Sequence, residues 1–129
     1  GIKHCKNRTG RYPKISSFAF TESDEKYGCG AGVQHSYVSA SGELFPCDFV
    51  PLSFGNVRKT SIRHLWSRMN TIMGIPHHGC FALSQYREIR DAGKKNGLPL
   101  PFSESQKICS ENQSWRFPKY YRILQGKKR

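Results

Sequence analysis

Cysteine is the residue type here whose spacing supports chemistry. Five cysteines stand at positions 5, 29, 47, 80 and 109 of the 129-residue chain. Twelve residues separate Cys29 from Gly42 and four separate Gly42 from Cys47, so the chain leaves one thiol, reverses at a glycine and returns to another. Val33 to Ser39 and Glu43 to Phe45 are rich in β-branched and aromatic residues, and Ser41-Gly42 is turn chemistry. A β-hairpin is therefore expected, with Cys29 and Cys47 at its open end about 5 Å apart. Cys80 and Cys109 are the downstream candidates for further ligands, and an all-thiolate set suits zinc or iron-sulfur chemistry.

The elements after Cys47 would position those ligands. Pro51 and Gly55-Asn56 argue for an ordered loop. A helix then starts at Thr60 or Ser61, with Ile62, Leu65, Trp66 and Met69 forming one apolar stripe, and ends by Gly74-Ile75-Pro76. The bland reading of Trp66, core packing, is preferred to a role in chemistry. His77 and His78 adjoin Cys80 and invite a metal reading, although a solvated basic loop is preferred. A second helix is expected over Phe81 to Ala92, with Ala82, Tyr86 and Ile89 on its apolar face. Leu98 to Phe102 reads as extended because of its two prolines.

The ordered string Cys29, Gly32, Ser41-Gly42, Pro46-Cys47, Phe54-Gly55-Asn56-Val57, then a helix carrying Leu65-Trp66, resembles the SPASM or shorter twitch domain. These domains follow the catalytic barrel of many radical S-adenosylmethionine (radical SAM) enzymes. The resemblance covers Cys29 to Cys80 and fades on either side. It implies an auxiliary 4Fe-4S cluster, with Cys29, Cys47, Cys80 and Cys109 as its candidate ligands. It also implies a partner in the radical SAM barrel domain, S-adenosylmethionine bound only through that barrel, and a peptide or small-molecule substrate. The Cys-x-x-x-Cys-x-x-Cys triplet of the cleaving cluster is absent from these 129 residues, so the chain reads as the C-terminal part of a larger oxidoreductase or modifying enzyme. The role expected of it is substrate binding or electron relay, with no catalytic residue of its own.

The fold class that follows is α+β: a hairpin, an amphipathic helix, a second helix and an irregular C-terminal arm. Its divisions are a basic segment over 1–27, the cluster-binding domain over 28–109 and a basic, aromatic arm over 110–129. Hydrophobic residues make up only 36% of the chain, so bound metal would add much of the folding free energy. An odd cysteine count without a secretory segment fits a cytoplasmic compartment, and no apolar run is long enough for a membrane span.

Net charge of +12 raises a competing reading, a zinc-stabilised nucleic-acid-binding module. Trp115, Phe117, Tyr120 and Tyr121 alternate with Arg116, Lys119 and Arg122, a mixture that stacks bases and neutralises phosphates. Docking on a partner domain explains the same arm and is preferred. Zinc favours closely spaced cysteine pairs, and none is present. Glu22, Asp24 and Glu25 read as a solvated turn. Asp48 is placed to tune a metal bound at Cys47 or to cap the loop that follows.

Overall fold

The computed structural model describes residues 17–126. Cys5, the basic groups at 4–14 and 127–129, and most of the 1–27 segment lie outside the described residues. The fold is α+β. In chain order it runs α1 (Phe18–Thr21), β1 (Tyr37–Val38), β2 (Leu44–Phe45), α2 (Ile62–Met73), α3 (Phe81–Ser84), α4 (Tyr86–Asn96), α5 (Phe102–Glu111) and α6 (Lys119–Gly126).

The hairpin forms, but with two residues in each strand. Tyr37 pairs with Phe45 and Val38 with Leu44, antiparallel. Residues 30–35 do not extend the ladder, because the amides of Val33, Gln34 and His35 all turn back onto the Gly30 carbonyl. Gly32 sits at φ 69, and a Cβ there would stand 2.6 Å from Met73 Cγ. A glycine with a left-handed backbone thus lets α2 approach just before the expected strand. At the tip, Gly42 (φ 91) would carry a Cβ 2.8 Å from Asn56 Oδ1. Asn56 Nδ2 donates to Glu43 Oε1 and to the Ser41 carbonyl, and Ser53 donates to Glu43. This is the structural use of the glycine-asparagine step: the loop 53–57 lies along β2, with Leu44 bonded to both Gly55 and Phe54.

Helix α2 starts at Ser61, whose hydroxyl accepts from the His64 amide, and stops at Gly74. Its buried stripe is Leu65, Met69 and Met73, whereas Ile62 is exposed and Trp66 half-buried. The stripe therefore lies about one turn C-terminal of the expected one. The helix expected over 81–92 is two helices, broken at Gln85 (φ −100, ψ 6), and the second runs on through Gly93 to Asn96. Phe81 and Ile89 face the core while Tyr86 is exposed. The C-terminal region is more regular than its prolines predicted. Leu100 bridges Leu52, and Pro101 then precedes α5, because proline blocks a strand's amide but suits a helix start. Helix α5 packs against α2 and α4. Between these helices and β2 lies one core, containing Leu44, Leu52, Phe54, Leu65, Met69 and Phe81. Among the described residues, no helix is long and apolar enough to cross a membrane.

Candidate metal centre

Cys29 is buried and lies in a short antiparallel bridge with His77: its amide donates to the His77 carbonyl at 2.8 Å, and the His77 amide returns the bond at 3.0 Å. Gly28 makes the approach possible. At φ 72 it would place a Cβ against the His77 carbonyl and Pro118. Cys47 sits just after β2 and bridges Val50. The two cysteine segments are tied by a bond from the Gly32 amide to the Pro46 carbonyl at 3.0 Å. The approach of Cys29 to Cys47 therefore rests on that single tie and the turn at 30–35, not on a continuous ladder. Cys80, exposed, precedes α3.

Three of the four thiols with described positions share one electrostatic neighbourhood. Burial pushes the Cys47 thiol up to about 11, and negative charge at Cys29, Asp48 and Cys80 pushes the same way. Burial also raises Cys29, with Glu22 and Cys80 adding to the effect. Working against burial are backbone amides turned toward the sulfurs: those of Phe81 and Ala31 at Cys29, and that of Phe49 at Cys47. Both cysteines thus meet the amide two residues ahead, a turn geometry that stabilises a thiolate.

Cys109 is placed differently. It is fully buried on α5, within the apolar core, and burial alone pushes its thiol up to about 12. Among the described residues, no charge from another cysteine shifts it. Cys5 lies outside the described residues.

His77 is the residue that sequence reasoning undervalued. It is 7% exposed, not solvated, and its ring lies 4.8 Å from that of Phe81. Burial pulls its imidazole below the usual range. Nε2 is buried without a hydrogen-bond partner. His78 pairs with Asp24 and donates to the Arg116 carbonyl. Glu22 and Glu25 are likewise engaged, with His35 and Lys119. The acidic turn is therefore a set of clasps. Among the described residues, no three His, Cys, Asp or Glu side chains converge closely enough to hold a single metal ion.

Residues 29–96 match the model of the SPASM iron-sulfur cluster-binding domain. That is more than half of the chain. The chain belongs to the SPASM family. A curated relative, an AdoMet-dependent heme synthase from Methanosarcina barkeri (strain Fusaro / DSM 804), is 26% identical over 83 residues, which are 64% of this chain and 20% of that protein. The chain thus spans about a fifth of the relative's length. No solved structure matches.

The residues of this SPASM domain fit the group that its family implies. An iron-sulfur cluster needs thiolates spread around a body larger than one ion, with N–H donors toward their sulfurs. The corner formed by Cys29, Cys47 and Cys80 has such a donor set, and its buried thiols are already met by three backbone amides.

Proposed function

We propose that this chain holds an auxiliary 4Fe-4S cluster on the thiolates of Cys29, Cys47 and Cys80 and serves a radical SAM barrel domain as its substrate-facing module. The observation that carries the reading is the electrostatic grouping of those three thiols, which come from segments 18 and 33 residues apart in sequence. The name of the Methanosarcina barkeri relative supports the link to S-adenosylmethionine chemistry. When bound, the cluster supplies a centre for substrate contact or electron relay, and the protein's part is to hold and shield it. Cys29 is covered by the core, while Cys80 opens to the surface. Phe49 and Leu83, 77% and 80% exposed and close in sequence to Cys47 and Cys80, supply an apolar rim for the barrel or its substrate.

The zinc and nucleic-acid reading has less support. Three of the four C-terminal aromatics are paired, Tyr120 stacking on Tyr27 at 5.2 Å and Tyr121 on Phe117 at 6.0 Å, which leaves Trp115, 89% exposed, as the one open to a base. Anaerobic reconstitution with ferrous iron and sulfide tests the reading. A broad visible absorption is expected from the wild type and from Cys109→Ala, and is lost in Cys29→Ala and Cys47→Ala. A colourless protein that binds one zinc tightly would reject it.

A further inference from the structure

Three thiolates leave one iron of a four-iron cluster without a protein ligand, and the surroundings of Cys29 contain one more donor. Cys29 and His77 exchange both backbone hydrogen bonds. Directly opposed residues of an antiparallel pair send their side chains to the same face, with Cβ atoms roughly 5 Å apart. The His77 and Cys29 side chains therefore leave the bridge on the same face. The Phe81 amide turned toward Cys29 brings the Cys80-Phe81 backbone to the same spot, and the His77 ring packs on the Phe81 ring. A buried ring nitrogen without a partner is costly, and native proteins rarely leave one. His77 Nε2 is such an atom.

We propose that His77, through Nε2, is the fourth ligand of the cluster held by Cys29, Cys47 and Cys80, in the place that sequence spacing offered to Cys109. The proposal rests on the cluster reading above. Its logic is that of a vacancy and a donor meeting. The backbone pairing sets both Cβ atoms on one face, the Phe81 ring packs on the imidazole, and burial excludes water as a substitute partner. Cys109 has no comparable opening, since it lies fully buried on α5 among apolar side chains. Imidazole in place of thiolate makes a cluster less negative and easier to reduce.

The experiment uses the full chain, reconstituted anaerobically with ferrous iron and sulfide, reduced, and studied by pulsed electron paramagnetic resonance. Protein grown with 15N-histidine is expected to show a changed nitrogen coupling relative to unlabelled protein. That coupling should vanish in His77→Gln and persist in Cys109→Ala. A His77→Cys variant should retain the cluster and lower its midpoint potential. A labelled wild-type sample with no histidine coupling, or a coupling that survives His77→Gln, would overturn the assignment while leaving the cluster in place; so would loss of the cluster in a folded Cys109→Ala. Wild-type protein that takes up no iron and sulfide would overturn the cluster reading and this assignment with it. The labelled wild-type measurement stands even if His77→Gln fails to fold.

Discussion

Cys29 and Cys109 are the same residue type, both in the core, yet their surroundings differ in kind. Around Cys29 are two amides turned to its sulfur, the Cys80 thiol whose charge it feels, the Cys47 thiol that feels its own, and a backbone partner, His77, whose ring has a spare nitrogen. Around Cys109 there is apolar packing and nothing polar that shifts its thiol. Burial therefore does not separate the thiol proposed here as a ligand from the one proposed as inert. The company of donors does, because only a prepared site offsets the cost of a buried thiolate.

The largest effect that could break this contrast is at Gly28. A Cβ there meets the His77 carbonyl and Pro118 at a left-handed backbone position. Gly28→Ala should cost about 2 kcal/mol or more from strain and clash, and should lower retained iron far more than the same change at Gly97 (φ 76), where a Cβ meets nothing. Urea unfolding and iron analysis of both variants check it. Equal losses would remove the Cys29–His77 pairing from the account.

Next is thiol reactivity in the metal-free chain. Among the four described thiols, exposed Cys80 should be alkylated first, and Cys109 last, by a margin on the order of 100-fold, since reaction there waits for opening of the core. Mass spectrometry of timed iodoacetamide samples reads the order directly.

A smaller effect concerns pH. Folding raises the Cys47 thiol to about 11 and Cys109 to about 12, above the ordinary unfolded value of about 8.5. The folded state therefore holds its protons longer. Below roughly pH 8.5 both states are protonated and the stabilisation is complete; as pH rises toward 11 and 12 the unfolded chain ionises first and stability falls. Metal-free protein should show a lower urea midpoint at pH 10 than at pH 8. In the loaded chain this fall should be blunted, because iron replaces the proton.

The smallest effect is at the hairpin tip, away from the thiols. Asn56→Ala removes the bonds to Glu43 and Ser41 and should cost about 1 kcal/mol with iron content unchanged, as measured by thermal melting and iron analysis.

Local chemistry was legible in the sequence. The Ser41-Gly42 turn, the Ser61 cap and the Gly74 stop each depend on neighbours within a few residues, and each appears in place. What could not be read depends on distant partners. The start of the strand expected from Val33 is instead a turn onto the Gly30 carbonyl, and Met73, 41 residues after Gly32, fills the space beside that turn. The pairing of Cys29 with His77 spans 48 residues and leaves no periodic mark. The His-His-Gly-Cys string gave one usable signal, a histidine three residues before a ligand candidate. Its polarity pointed to solvent, and only the fold shows that one ring is buried and the other clasped by Asp24.

That clasp has a consequence for assembly. Residues 24–26 are stitched to the start of α6 by bonds from the Lys119 amide to Asp24 and from the Tyr120 amide to Lys26, and Pro118 would meet any side chain at position 28. The two distant stretches close like a drawstring around the neck of the proposed metal corner. Iron capture should then come late, after most of the polypeptide has been drawn together, since contacts so remote in sequence are slow to form. Trimming α6 would slacken a pocket that it never lines.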